Sequence, residues 1–287
     1  MREYIALTKP RITWLILMST GVGYFFGMKR GWSGLHDWIL LLHTLIGTGL
    51  IASGTAALNQ WYEREADCLM RRTAGRPLPT GKMTAKSALW FGIGLAVVGF
   101  VELAVWVNLL TGVLGALTLG AYLFIYTPLK QRSHLSTVIG ALPGAVPPLM
   151  GYAASNGALT AEAWTLFAIL FVWQFPHFLA IAWMYREDYA RAGIRMLPVV
   201  EPDGQSTGRQ IVLYASTLIP VSLFPALLGM SGKIYMAGAL VLGGCFLYTG
   251  VRVAFDLTNV RARRVLLASV IYLPMIYGLM VFDRPSL

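Results

Sequence analysis

Between Asn59 and Gly81 the chain reads NQWYEREADCLMRRTAGRPLPTG, with three acids and four arginines directly after a long apolar run. Asn59, Glu63 and Asp67 are spaced by four. On a helix that spacing stacks the three side chains along one face. An amide and two carboxylates so placed are oxygen donors of the kind Mg²⁺ takes, an ion that keeps waters and is usually shared with substrate phosphates. Arg71, Arg72 and Arg76 follow, and guanidinium groups fork onto phosphate oxygens. Acids for a metal beside bases for phosphate describe a diphosphate site. The competing reading is a solvated face laced with ion pairs, as charge runs usually are. Against it, the trio begins in the last turn of a membrane helix, where charge is costly and seldom idle.

The elements that must position these residues are apolar. The 287-residue chain is 56% hydrophobic and 13% charged, with mean hydropathy +0.62, too little polar surface to cover a soluble core. Apolar runs reach about 20 residues, the span of a bilayer, and do not alternate as barrel strands do. The sequence therefore predicts an all-α polytopic membrane protein, one domain over 1–287. Its spans are expected at 11–28, 37–59, 86–107, 109–127, 135–154, 163–185, 211–230, 233–251 and 265–282. With the N-terminus cytoplasmic, nine spans put all but Lys29, Arg30, Lys233 and Arg284 of the 23 basic residues on the cytoplasmic side. The net charge of +10 then reflects the positive-inside rule rather than nucleic acid. The N-terminal apolar run lacks a small-residue cleavage site and reads as the first span. Cys68 and Cys245 show no disulfide pattern.

Two cytoplasmic loops are long, about 60–85 and 186–210. Each leaves its helix through an aromatic-acidic stretch (WYEREAD, MYREDY) and runs through arginine to Leu-Pro (RPLP, RMLP). An internal duplication would produce this, as would chance likeness of amphipathic loops. Within the sixth span, His177 follows Pro176. A histidine at membrane depth suggests function, against the alternative of a ring bonded to a carbonyl that the proline frees. His134 and His36 read as interfacial, and His43 is ambiguous. Glu102 sits near a span end, within reach of the interface. Pro143, Pro147 and Pro148, among Gly140, Gly144 and Gly151, must break the fifth span, which is tolerated where backbone is covered by protein or lines a cavity.

The first loop resembles the first aspartate-rich motif of the UbiA-type intramembrane prenyltransferases. NQWYEREAD, with Glu in the middle, is most similar to the protohaem IX farnesyltransferase branch. LTKPRI (7–12), YTPLKQRS (126–133), IGALPGAVPPLMGYAA (139–154) and WQFPHFLAIAWMYREDYARAGIRMLPVV (173–200) agree with that branch in order and spacing over nearly the whole chain. The resemblance implies nine transmembrane helices around a central cavity capped by the two cytoplasmic loops. It implies Mg²⁺-dependent transfer of farnesyl from farnesyl diphosphate to protohaem IX (haem B), with water, giving haem O and diphosphate. Haem B is then a substrate, not a cofactor.

Carried onto these residues, the resemblance implies metal held by Asn59, Glu63 and Asp67, and diphosphate held by Arg71, Arg72, Arg76, Lys130 and Arg132. Many relatives place two aspartates four apart in the second loop; Tyr185 and Tyr189 stand there instead, flanking Glu187 and Asp188. One of those acids is expected to face the metal, Asp188 by preference, and the tyrosines to line the haem or cation pocket beside His177. The alternatives are a prenyltransferase for an aromatic quinone-precursor acid and, from another class, a haem or isoprenoid transporter. The expected setting is the bacterial inner membrane, multi-pass, with the N-terminus and both active-site loops cytoplasmic. Membrane lipid surrounds the chain, and a haem A synthase or terminal oxidase assembly is a partner expected from the pathway alone.

Overall fold

Lipid leaves backbone groups no partner but each other, so the apolar runs fold as helices. The computed structural model describes residues 1–28, 31–32 and 34–285; Lys29 and Arg30, expected opposite the loops, lie outside the described residues. The helices are α1 (Arg2–Leu7), α2 (Pro10–Gly27), α3 (Leu35–Tyr62), α4 (Arg64–Leu69), α5 (Ala85–Trp106) and α6 (Leu109–Gly120). A π-helical turn (Ala121–Tyr126) joins α6 to α7 (Thr127–Leu129). There follow α8 (Ser136–Gly144), α9 (Pro147–Asn156), α10 (Ala161–Met184), α11 (Arg186–Arg191), α12 (Leu197–Val200), α13 (Gln205–Val221), α14 (Phe224–Leu227), α15 (Lys233–Phe255) and α16 (Asn259–Phe282). The described residues contain no strand.

Among the described residues, 8 helical segments are long and apolar enough to cross a bilayer, the first of them Leu35–Tyr62. The expected first span is the 18-residue α2, which is not among the eight because Arg11, Ser19, Thr20 and its glycines dilute it. It is nonetheless bound into the bundle. A Cβ on Gly23 would lie 2.0 Å from the Pro148 carbonyl oxygen, and one on Gly151 only 1.8 Å from that of Thr20. The α2 and α9 backbones touch, as membrane helices do where small residues meet. The last span starts earlier than expected, at Asn259, so Arg261, Arg263 and Arg264 belong to a helix and not to a loop.

The fifth span is broken as its prolines require: α8 ends at Gly144 and α9 begins at Pro147. Gln174 of α10 reaches into the break, where its Nε2 donates to the Ala141 carbonyl at 3.0 Å. Gly144 leaves room for that side chain, since a Cβ there would sit 2.1 Å from Gln174 Oε1. Glu102 of α5 does not stand alone at its span end; its carboxylate meets His43 Nδ1 at 2.6 Å, and Trp106 stacks on the imidazole.

The two long loops repeat one device. α3 passes into α4 through a turn at Glu63 that keeps two bonds spaced by four: the Glu63 amide donates to the Asn59 carbonyl at 2.9 Å and the Asp67 amide to that of Glu63 at 2.8 Å. α10 passes into α11 through Tyr185 in the same way, with Tyr185 to Ile181 and Tyr189 to Tyr185 both at 3.0 Å. At each joint an arginine stacks on the tryptophan three residues earlier and donates to its carbonyl, Arg64 on Trp61 and Arg186 on Trp183. A shared joint with shared side-chain partners supports duplication over chance.

Candidate active site

Because the α3–α4 joint keeps the Glu63-to-Asn59 and Asp67-to-Glu63 backbone bonds, Asn59, Glu63 and Asp67 occupy successive turns. Asn59 and Asp67 are 2% and 0% exposed. Each carboxylate has a cation. Lys130 Nζ donates to Glu63 Oε1 at 2.7 Å, and Arg76 Nη1 spans both Asp67 oxygens at 2.8 and 2.6 Å. Burial opposes ionisation of Glu63, but Lys130, backed by Lys9 and the Asn59 amide, holds its carboxyl below the ordinary carboxylate range.

Lys130 is placed by the π-turn. Pro128 has no N–H and crowds the carbonyl four residues back, so the helix widens by a residue. The Thr127 amide and hydroxyl both turn to the Tyr122 carbonyl, the hydroxyl at 2.8 Å. The widened turn stacks Tyr122 and Tyr126 edge to face. Lys130 Nζ lies 4.4 Å from the centre of the Tyr126 ring and 5.9 Å from that of Tyr122, within cation–π range. Gly140 of α8 admits Tyr126, whose ring would lie 2.5 Å from a Cβ there.

Lys9 joins the cluster unexpectedly. It is the one non-glycine described residue with positive φ, at 47°, and that turn brings its Nζ to 3.4 Å from Asn59 Oδ1. Asn59 Nδ2 in turn reaches Thr127 Oγ1 at 3.4 Å. Burial first, then the charges of Arg76 and Lys130, lower the Lys9 ammonium to about 7, against the weaker pull of Glu63 and Asp67. Neither Lys9, Tyr122, Tyr126 nor Thr127 was a site residue by spacing. The only signal for Lys9, Tyr126 and Thr127 is that they lie in the LTKPRI and YTPLKQRS stretches, and Tyr122 lies outside both.

The second loop closes over the first. Ala66 and Met70 pack with Ala182, Ala192, Ile194 and Met196, and the Arg195 amide donates to the Lys130 carbonyl at 2.8 Å. Asp188 is held by Arg191 and by the Arg72 amide, the latter at 3.2 Å. The Arg72 guanidinium rests on the faces of Tyr185 and Tyr189, 5.1 and 5.8 Å from their centres. Thus Asp188 ties the loops together, while Arg71 and Glu187 line an open cleft of about 480 Å³ with Arg72, Tyr185 and Asn259. Arg132 is exposed and makes no described contact with the cluster. His177, half-buried in α10, bonds through Nδ1 to Ser269 Oγ of α16 at 2.8 Å.

Among the described residues no three His, Cys, Asp or Glu side chains gather into a metal site by themselves. The trio offers two carboxylates and an amide, with an excess of cations (Lys9, Arg76, Lys130) around them. That set fits Mg²⁺ in its usual partnership, where phosphate oxygens complete the shell, and the surplus positive charge fits the phosphates.

Fold and cluster define a class: a helical, polytopic membrane protein with a buried patch of oxygen donors and cations beneath two interlocked loops. The chain belongs to the UbiA prenyltransferase family, whose model matches residues 17–273. It is 66% identical to a protoheme IX farnesyltransferase of Solibacter usitatus over 100% of both chains. It is 47% identical to a protoheme IX farnesyltransferase of Koribacter versatilis, covering 99% of this chain and 94% of that one. The fold is shared with a UbiA homolog from Aeropyrum pernix (TM-score 0.73, 17% identity, 94% and 96% of the two chains). It is shared also with one from Archaeoglobus fulgidus bound to GPP and Mg²⁺ (TM-score 0.63, 15% identity, 97% and 99%).

Proposed function

We propose that the chain transfers farnesyl from farnesyl diphosphate to a vinyl group of protohaem IX, with addition of water, giving haem O and diphosphate. The observation that carries this is the buried Asn59–Glu63–Asp67 face matched by Lys130 and Arg76, in a chain with 66% identity to a relative named for that reaction. Asn59, Glu63 and Asp67 would hold Mg²⁺, which when bound neutralises the leaving diphosphate. Lys130, Arg76, Lys9 and Arg72 stand where the diphosphate gains negative charge as its allylic C–O bond breaks, and cations placed there lower the barrier. The vinyl carbon attacks the farnesyl cation, the new cation beside the porphyrin takes hydroxyl from water, and the proton goes to the diphosphate. Tyr122, Tyr126, Tyr185 and Tyr189 keep cations in place from their ring faces, and the closed loops keep bulk water away. His177 would meet the haem from α10.

The proposed setting is the inner membrane with the two loops cytoplasmic, an orientation that the basic side chains on the loop face support. In a test, purified protein in lipid receives farnesyl diphosphate, Mg²⁺ and haem B, and the haem is weighed by mass spectrometry. A product heavier by farnesyl and hydroxyl is expected. Unchanged haem, with prenylation only of an aromatic acid, would reject the proposal.

A further inference from the structure

His177 is gripped from two sides. Trp173, one turn earlier on α10, stacks on the imidazole with centroids 4.8 Å apart and planes 25° from parallel. The indole is itself fixed, its Nε1 donating to the Ser269 carbonyl at 2.8 Å. Ser269 is fully buried, and its Oγ lies 2.8 Å from His177 Nδ1 and 2.6 Å from the Leu266 carbonyl.

Counting protons decides the tautomer. A hydroxyl has one proton, and a carbonyl only accepts, so the Ser269 proton goes to Leu266. Towards His177 the hydroxyl is then an acceptor, and Nδ1 must carry the hydrogen. Neutral imidazole has one N–H, which leaves Nε2 with a bare lone pair. No described residue bonds to that Nε2. A ring locked by an indole and a hydroxyl, presenting an unshared nitrogen pair from a half-buried position, is shaped for a metal centre in an apolar ligand.

We infer that Ser269 is a positioning residue, fixing His177 as the Nδ1–H tautomer so that Nε2 is offered to the iron of the haem acceptor. This rests on the reading of haem as acceptor given above. Ser269 touches no substrate itself; it acts through the imidazole, and Trp173 holds the plane.

The experiment titrates ferric protohaem into the detergent-purified full chain without farnesyl diphosphate, reading optical and electron paramagnetic resonance spectra. Mg²⁺-dependent binding of farnesyl diphosphate to each variant reports folding. Wild type is expected to show imidazole ligation and His177→Ala to lose it. Ser269→Thr keeps a hydroxyl and Ser269→Val has the same shape without one. The threonine variant should retain the spectrum, and the valine variant should bind haem about tenfold more weakly with the imidazole signature lost or mixed. If the two behave alike while His177→Ala loses ligation, Ser269 has no positioning role. If His177→Ala keeps the signature, the ligand lies elsewhere and the inference falls with the ligation reading, whatever Ser269 does. Nitrogen NMR of labelled histidine in the haem-free chain adds a direct check: a protonated Nδ1 at His177 is expected, and a protonated Nε2 overturns the assignment.

Discussion

Lys9 shows how far a residue's chemistry depends on its neighbours. With its ammonium lowered to about 7, it is largely neutral in the empty site at mildly alkaline pH. A diphosphate bound beside it restores the charge, so binding takes up a proton. Affinity should therefore fall as pH rises above 7, by up to about tenfold per unit, when calorimetry is run between pH 7.5 and 9 in buffers of different ionisation enthalpy. Lys9→Arg should abolish the proton uptake; unchanged uptake would remove Lys9 from the site. The same shift has a stability sign. The unfolded chain binds the extra proton from about 7 up to the ordinary lysine range, so this residue's contribution to stability rises with pH across that window. The acids were legible in the sequence because a helix reports its own spacing. Lys9 and Tyr126 were not, because they reach Asn59 and Lys130 only through packing.

At the scale of elements, contacts between small residues are the joints most open to test. Gly151→Ala would drive a methyl into the Thr20 carbonyl, whereas a Cβ on Gly94 meets nothing within 4 Å. Thermal unfolding in detergent should show the first losing about 1–3 kcal/mol or more and Gly94→Ala nearly neutral; equal effects would mean that α2 and α9 do not rely on contact. The loops make a second test. Removing the carboxylate in Asp188→Ala should free α11 from the Arg72 amide and speed hydrogen exchange at 70–74 and 186–192 without unfolding the bundle. Span positions were readable from hydropathy to within six residues, the largest gaps at the starts of Gln205–Leu227 and Asn259–Phe282. The π-turn was not, since Pro128 signals a break but not how the ladder closes around it. The repeated joint was half legible: the motifs WYEREAD and MYREDY were visible, while the matching Trp–Arg stacks needed coordinates.

For the whole molecule, the decisive features are the sidedness of charge and the sharing of one site by both loops. Arg284, one of the few basic residues expected on the opposite side, is held at the far end, where its guanidinium caps the Phe25 and Met28 carbonyls at 2.8 and 2.6 Å. Cys68 is exposed beside the site. In a Cys245→Ala chain, a membrane-impermeant thiol reagent should label Cys68 only in inside-out vesicles; labelling in right-side-out vesicles would invert the topology. On our proposal the α3–α4 face and its cations form one metal-and-diphosphate site. Its most direct measure is the binding of farnesyl diphosphate with and without Mg²⁺ to wild type, Glu63→Gln and Asp67→Asn, with haem binding as the control for folding. Wild type should bind tightly only with Mg²⁺, and both variants should lose that dependence while still binding haem. Full Mg²⁺ dependence retained in both variants would contradict the assignment.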